Sequence, residues 1–468
     1  MRKFCDSIAR PISRRELLRT SANGFGLLAL GGLMTEARGA SDPLAIKPPH
    51  FAPKAKRIIF LFMHGGPSQV DTFDPKPMLA KYDGQPFPGT KPRVQFASTG
   101  NLLKSPWEFK PGGKCGTPVS DLFPHVRDRV DDLCVIRSIH ADNSAHGGAL
   151  LQLHTGSDTF VRPSVGSWVT YGLGTENQNL PGFVTICPTL GHGGVNNWSN
   201  AFLPAAYQGT SIGHSGIKCK DAKLNDIASM STPEMQRARL DLIQQMNASH
   251  RATTGPDAAL EGRINAYELA FRMQAEAPKV MDISKESAET LALYGIGDEK
   301  TDNFGRQCLL ARRFAESGVR FIQCAHSYKW DQHGALRKDH AKNALEVDKP
   351  IAGLLADLKR RGLLEDTLVW WGGEFGRTPT AQGGDGRDHN PHAFSQWLAG
   401  GGIKGGTTFG ATDEFGYYAV EDKVHMHDLH ATILALLGLD HEKLTYRYSG
   451  RDFRLTDVKG RVVKEVMA

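Results

Sequence analysis

Histidines and acidic residues stand close together at several points of this chain, which holds 18 histidines in 468 residues. The segment 388–392 (DHNPH) places two imidazoles and one carboxylate within five positions, and the segment 331–333 (DQH) holds one of each. Imidazole and carboxylate groups are the ligands found in zinc, iron and manganese sites. No Cys-x-x-Cys pair occurs, so a thiolate site is not indicated. The pattern predicts a divalent-metal site with nitrogen and oxygen ligands.

Each of these segments also has an ordinary structural interpretation. Residues 331–334 (DQHG) could form a plain turn, and Asp428 in the segment 425–430 (HMHDLH) could cap the apolar helix that follows. Arg377, three residues after Glu374, could form an ion pair or hold a substrate oxyanion. The elements that position these residues therefore decide between the interpretations.

Apolar runs that end in turn residues predict the strands of a buried sheet. Residues 57–63 (RIIFLFM) form a continuous apolar run that stops at residues 64–67 (HGGP), as expected for a central strand. Runs of similar character occupy residues 133–136, 183–186, 319–324 and 368–371.

Helices are predicted between these strands. One spans residues 304–316, with cap candidates at Asp302 and Asn303, and another runs from near Pro350 to about Arg361. Strand, helix and strand in this order imply right-handed parallel crossovers. We therefore expect an α/β fold of three layers, α/β/α, with a mostly parallel central sheet. Residues 41–468 are expected to form one domain with a helical insertion near residues 231–293.

The polar segments follow the predicted strands, and in an open parallel sheet ligands bind beyond the carboxyl ends of the strands. After successive strands come His64 and Asp71; Asp142, Asn143, Ser144 and His146; His326, Asp331, His333 and His340; and Glu374, Arg377, Asp388, His389 and His392. This shared location favours a metal site over a set of unrelated turns and caps.

The first 40 residues are typical of a twin-arginine export signal. Arg14 and Arg15 precede a weakly apolar stretch over residues 24–34 and small residues near position 37. Seven basic and three acidic residues give this segment +4 of the net charge of +6, so the remainder carries only +2. A nearly neutral body gives no electrostatic case for nucleic-acid binding. No later stretch approaches about 18 apolar residues, so no membrane span is expected after signal cleavage. We expect the Tat translocase as export partner and a periplasmic or secreted location.

A family resemblance is carried by the turn 64–67 with Asp71, and by the segments 330–333 (WDQH), 374–378 (EFGRT), 388–389 (DH), 400–406 (GGGIKGG) and 427–432 (HDLHAT). Through these segments the chain resembles the exported, sulfatase-related family catalogued as domain of unknown function 1501, in the alkaline-phosphatase-like superfamily. The resemblance covers nearly all of residues 55–455. It implies the alkaline-phosphatase-like form of the three-layer fold.

The resemblance also implies two metal ions beside a nucleophile that attacks phosphorus or sulfur. The expected metal ligands are His64, Asp71, Asp331, His333, Glu374, Asp388, His389 and His392. The expected catalytic residues are Ser144 as nucleophile, His146, which competes for that place, and Arg377. His64 and Phe375 depart from the superfamily pattern, and the absence of Cys-x-Pro-x-Arg excludes a formylglycine nucleophile.

The function that follows from the resemblance is a metal-dependent hydrolase of phosphate or sulfate esters. Its cofactor would be a divalent metal such as zinc, calcium or manganese, and its substrate a small-molecule or glycan ester, including esters on polysaccharides. The alternative is a non-catalytic periplasmic binding protein that keeps the hydrolase fold. A third hypothesis is a structural surface protein.

Overall fold

The fold is seen in a computed structural model, which describes residues 42–91, 100–225, 227, 231–255 and 257–468. The export signal predicted for residues 1–40 lies outside the described residues. The strands are β1 (Arg57–Met63), β2 (Phe109–Gly112), β3 (Thr117–Ser120), β4 (Leu133–His140), β5 (Phe183–Ile186), β6 (Thr210–Ile212), β7 (Phe321–His326), β8 (Thr367–Gly372), β9 (Gly376–Gln382), β10 (Gly386–Asn390), β11 (Phe394–Ala399), β12 (Thr407–Phe409), β13 (Ala411–Thr412), β14 (Ala419–Glu421), β15 (Val424–His425), β16 (Tyr446–Tyr448) and β17 (Arg451–Phe453). The helices are α1 (Gln69–Thr72), α2 (Pro77–Lys81), α3 (Pro124–Arg127), α4 (His146–Thr155), α5 (Val165–Leu173), α6 (Pro233–Thr254), α7 (Ala258–Met281), α8 (Ala288–Leu293), α9 (Asp302–Glu316), α10 (Leu336–Arg360) and α11 (Met426–Leu436).

The main sheet is mostly parallel, and β1 lies near its middle. Within the described ranges the strand order is β12-β4-β11-β8-β1-β7-β5-β6, with β15 added on β4. β1 is parallel to both β7 and β8, and β5 is parallel to β7 and β6. β11 runs antiparallel to β4 and β8. The predicted parallel sheet is confirmed, with one reversed strand that the crossover argument did not predict.

Different helices cover the two faces of this sheet. Phe62 of β1 packs edge-on against His154 of α4, with ring centroids 4.8 Å apart. The preceding residue of the strand, Leu61, is in register with Cys324 of β7. The Cys324 thiol donates to the Gln307 carbonyl of α9 at 3.4 Å. Successive side chains of a strand point to opposite faces, so α4 and α9 lie on opposite sides of the sheet. The predicted three-layer α/β/α fold is therefore confirmed.

The structure agrees closely with the fully buried runs of the sequence. β1 and β5 have the predicted bounds. α9 begins at Asp302, two residues before the predicted start, and its N-cap residue is Thr301 and not the predicted Asp302 or Asn303. The predicted start of the next helix, near Pro350, is wrong, because α10 begins at Leu336 and Pro350 lies inside it. Proline in a helix interior costs one hydrogen bond. Burial of Ala344 and Val347 in the turns before Pro350 stabilises the longer helix.

The segment 231–293 contains α6, α7 and α8. Thr232 caps α6 by accepting from the Met235 amide, and Pro233 stands at its first helical position. Arg237 of α6 holds Glu268 of α7 through two hydrogen bonds of 2.8 and 2.7 Å. In the described part of the chain, none of the helices combines the length and the apolar character needed to cross a bilayer.

Candidate metal centre

The carboxyl ends of five parallel strands bring the candidate residues together at one side of the main sheet. His64 follows β1, His192 lies in the loop after β5, and Glu374 follows β8. His146 is the first residue of α4, which comes after β4, and Asp331 lies in the loop between β7 and α10. The β9–β10 hairpin closes the group, because its register places His389 opposite Arg377.

Asp331 lies at the centre of the cluster. Its Oδ1 is 2.7 Å from Arg377 Nη2, 2.9 Å from His333 Nε2 and 3.1 Å from His389 Nε2. Its Oδ2 is 3.3 Å from His146 Nε2. Burial alone would raise the pKa of Asp331, but the neighbouring imidazoles and the charge of Arg377 hold it far below its usual range. These contacts favour the ionised carboxylate form of Asp331.

His146 lies between two carboxylates. Its Nδ1 is 2.7 Å from Glu374 Oε1, while its Nε2 faces Asp331. Burial lowers the pKa of His146, but the hydrogen bonds to Asp331 and Glu374 outweigh burial and raise it to about 9. Glu374 is fully buried and also accepts from the Gly65 amide, at 3.0 and 3.2 Å. The turn after β1 thus fixes Glu374, and Glu374 fixes the His146 ring.

The His389 ring faces a hydrogen-bond acceptor at each of its two nitrogens. His389 Nδ1 is 2.7 Å from the Ser144 carbonyl, which can only accept, so this nitrogen carries the proton. His389 Nε2 then faces the Asp331 carboxylate, a second acceptor. Burial lowers the pKa of His389 and so disfavours a second proton there. A cation between His389 Nε2 and Asp331 would resolve this mismatch.

Among the residues that the structure describes, three groups of side chains have ligand atoms within 4.8 Å of one another: His64, His146 and His192; His146, Asp331 and His389; and His333, Asp388 and His389. We call these the ligand triads. His146 and His389 each belong to two triads, so the positions that they define are neighbours. His64 Nδ1 is buried and has no hydrogen-bond partner among the described residues, and burial lowers the pKa of His64 to about 4. Neutral imidazoles of this kind are suited to bind a divalent cation.

The structure brings together most of the residues selected from the sequence. His64, Asp331, His333, Asp388 and His389 belong to the triads, and His146, selected as a catalytic residue, belongs to two of them. Glu374 is outside the triads and contacts His146 instead.

Asp71 and His392 do not join the triads. Asp71 Oδ2 accepts from Arg387 Nε at 2.7 Å and from Ser68 Oγ at 2.6 Å, and its Oδ1 accepts from Arg387 Nη2 at 3.2 Å. Both oxygens are thus engaged by a buried guanidinium. His392 lies against the Tyr418 ring, with centroids 5.5 Å apart. Neither placement supports the predicted role as a metal ligand.

Arg377 pairs with Asp331 and not with Glu374. Its fully buried guanidinium also donates to the Gly65, Gly66 and Arg387 carbonyls. Because all three of its nitrogens donate to protein acceptors, the role of oxyanion clamp predicted from the sequence is not supported. Arg377 instead holds the Asp331 carboxylate in place.

Ser144 lies beside the triads. It stands two residues before His146, and its carbonyl is the acceptor for His389. Ala145 is the N-cap residue of α4, and its side chain offers no hydrogen bond to the helix.

His192 is a site residue that the sequence reasoning missed. Its ring stacks on His146, with centroids 4.9 Å apart and planes at 18°, and its Nδ1 is 3.3 Å from His64 Nε2. His192 lies six residues after the predicted strand 183–186, so the strand-end rule could have found it. It has no acidic neighbour in sequence, and for that reason it did not stand out.

Comparison with known proteins gives one family and a group of distant structures. The model of a family described as a protein of unknown function, DUF1501, matches residues 55–467, which confirms the resemblance drawn from the sequence. No curated protein matches the chain significantly. Among solved structures, the chain is similar to the PsFucS1 sulfatase from Pseudoalteromonas sp., with 13% identity, 89% of this chain and 71% of that chain covered, and a TM-score of 0.36. It is also similar to alkaline phosphatase from the Antarctic bacterium TAB5, with 10% identity, 84% and 99% covered, and a TM-score of 0.34.

Proposed function

We propose that this chain, which belongs to the DUF1501 family of proteins of unknown function, is an exported metal-dependent hydrolase of phosphate or sulfate esters. The observation that carries the proposal is the convergence of five imidazoles and two carboxylates in three overlapping ligand triads. Neighbouring cation positions suit the displacement of a tetrahedral ester, where charge develops on both the attacking and the leaving oxygen.

The donor set fits a divalent transition metal. Imidazole-rich sets with one or two carboxylates favour zinc or manganese, whereas calcium prefers oxygen ligands throughout. The residues that would hold the metal are His64, His146, His192, Asp331, His333, Asp388 and His389. A bound cation would lower the pKa of a coordinated hydroxyl or water and neutralise the ester oxygens.

The residues around the triads orient the ligand atoms. Glu374 accepts at His146 Nδ1 and the Ser144 carbonyl accepts at His389 Nδ1, so each ring presents Nε2 to the cluster. Such outer contacts fix the tautomer and the ring plane of a metal-binding histidine. Phe375 stacks on His389 with centroids 4.3 Å apart and excludes water from that side. The ligand atoms are therefore held in place without help from a substrate.

Ser144 is the proposed nucleophile. Its backbone is fixed by the contact with His389, and it stands two residues before His146. The Ser144 hydroxyl would attack phosphorus or sulfur and break the bond to the ester's alcohol oxygen, and the serine proton would pass to the departing alcohol. Water would then hydrolyse the seryl ester, which releases phosphate or sulfate and restores the hydroxyl. Direct attack by water is the second route in our proposal.

The proposed location is the periplasm or the exterior, reached through the Tat translocase. The twin-arginine segment at residues 14–15 supports this part of the proposal. Small-molecule or glycan esters outside the cytoplasm are the proposed substrates.

The proposal is tested on the purified protein by metal analysis and a panel of aryl phosphate, aryl sulfate and sugar sulfate esters. We expect at least one equivalent of zinc or manganese and turnover of at least one ester that stops on chelation. Ser144→Ala should reduce kcat at least a hundredfold and leave the metal content unchanged. Ser249→Ala, which alters an exposed serine of α6, is the control and should change neither. Absence of both metal and turnover would instead favour the non-catalytic binding protein.

A further inference from the structure

Tyr328 is an exposed aromatic residue beside the ligand triads, and neither metal binding nor the proposed attack uses it. Its side chain is 52% exposed, and it lies in the loop between β7 and α10 that also carries Asp331. Its ring centroid is 4.8 Å from that of His192, 5.0 Å from His64 and 5.8 Å from His146. One side of the cluster is thus bounded by a tyrosine ring that still reaches solvent.

The backbone at Tyr328 has an unfavourable conformation. Its φ is +47°, in the left-handed region that tyrosine rarely adopts. The following amides, of Lys329 and Trp330, both donate to the His64 carbonyl, at 3.2 and 3.1 Å, and so fix the loop on the turn after β1. Strain of this kind persists where the surroundings impose it, and it concentrates at functional sites.

The Tyr328 ring combines an apolar face with a polar edge. Its hydroxyl is 3.4 Å from Asp331 Oδ2, at the centre of the cluster, so the ring extends from the metal ligands toward solvent. Two apolar side chains near His192 in sequence, Leu190 and Val195, are also exposed, at 58% and 56%. A substrate whose charged end occupies the cluster would place its leaving group against the exposed Tyr328 ring.

We propose that Tyr328 is a specificity-determining residue that stacks on the leaving group, so that the preferred substrates are phosphate or sulfate esters of ring alcohols. This inference rests on the proposed function. A sugar ring and an aryl ring both offer a flat apolar face that packs on tyrosine. A linear alkyl ester has no such face and gains less from the contact. The shared chemistry of the substrate class is a ring next to the ester oxygen.

Binding of sulfonates that cannot be hydrolysed tests the proposal without turnover. Zinc-loaded protein is titrated calorimetrically with benzenesulfonate, cyclohexanesulfonate and propanesulfonate. We expect at least one ring sulfonate to bind about tenfold more tightly than propanesulfonate. Comparison of the two ring sulfonates distinguishes two kinds of substrate. Tighter binding of benzenesulfonate indicates esters of phenols, whereas equal binding of benzenesulfonate and cyclohexanesulfonate indicates that saturated rings, as in sugars, are accepted.

Three variants complete the experiment. Tyr328→Ala should abolish the preference for rings, Tyr328→Phe should retain it, and the zinc content should equal that of the wild type in both. Tyr267→Ala removes a tyrosine of similar exposure on α7, 54%, and should leave the preference unchanged. An unchanged preference in Tyr328→Ala, or no binding of any sulfonate by the wild type, overturns the proposal. If the preference depends on Tyr328 but no ester is hydrolysed, the proposed function fails and the ring-binding role stands.

Discussion

Two aspartate–arginine pairs lie at or beside the candidate site, and only one of them should matter for metal binding. Asp331 pairs with Arg377 at 2.7 Å and belongs to a ligand triad, whereas Asp71 pairs with Arg387 at 2.7 Å and belongs to none. Both guanidinium groups are fully buried. We therefore expect Asp331→Asn and Asp71→Asn to have similar effects on stability and different effects on metal content.

The loss of stability follows from the charge left behind. Each substitution removes the carboxylate partner of a buried arginine, which typically costs about 3–5 kcal/mol because the guanidinium keeps its desolvation penalty. The effect should be about equal when urea unfolding is followed in the presence of a chelator, which removes any contribution of bound metal. A native protein of this size can lose that amount and still fold below room temperature, so both variants should be measurable in the cold.

The metal content separates the two variants. Asp331→Asn replaces the one carboxylate of the triad formed with His146 and His389, and the metal measured by mass spectrometry should fall by at least half. Asp71→Asn should retain the wild-type content. Loss of metal in Asp71→Asn, or full retention in Asp331→Asn, would refute the assignment of the triads and return Asp71 to the ligand set.

Three further outcomes are expected. Gly65→Ala should displace the Asp331 loop and lower metal affinity and turnover at least tenfold, because the new Cβ would lie 2.6 Å from the Asp331 amide nitrogen. The matched control is Gly84→Ala, which is also at positive φ but has open space around it, and it should leave metal affinity and turnover unchanged. His192→Ala should remove no more than one equivalent of metal, because His192 belongs to one triad, whereas His389→Ala should remove more; equal losses would contradict this assignment. Burial raises the pKa of Asp348, a residue of α10, to about 6. Between about pH 4 and pH 6 the folded state therefore holds a proton on Asp348 that the unfolded state has lost, and the stability that this proton contributes is lost as the pH rises through that window. The unfolding free energy of wild type minus that of Asp348→Asn should therefore fall by about 3 kcal/mol over that window, and a difference that does not vary with pH would contradict the shift.

The sequence predicted the sheet well where burial alone determines the strands. β1 and β5 have the predicted bounds because each is a fully buried run between turn residues. The rule that ligands bind at the carboxyl ends of parallel strands then selected His64, Asp331 and His389, which the fold brings into the ligand triads. The reversed strand β11 was not predicted, since its buried run 394–399 has the same pattern as a parallel strand. Pairing direction depends on the partners of a strand, which a single run of residues does not contain.

The ligand set was harder to predict because it depends on which charges meet. From the sequence, Asp71 and Asp331 are equivalent, since each is a carboxylate shortly after a strand of the sheet. In the fold, both oxygens of Asp71 accept from the single guanidinium of Arg387, which completes their hydrogen bonding. Arg377 takes only Oδ1 of Asp331, and Oδ2 stays directed at His146. A carboxylate such as Asp331, with one oxygen paired to arginine and the other facing an imidazole, can still bind a cation. A carboxylate such as Asp71, with both oxygens paired to one arginine, cannot bind a cation without breaking a buried ion pair. The difference between a ligand and a structural acid therefore lies in how an arginine approaches it, and that geometry is fixed only when the β9–β10 hairpin folds over the edge of the sheet.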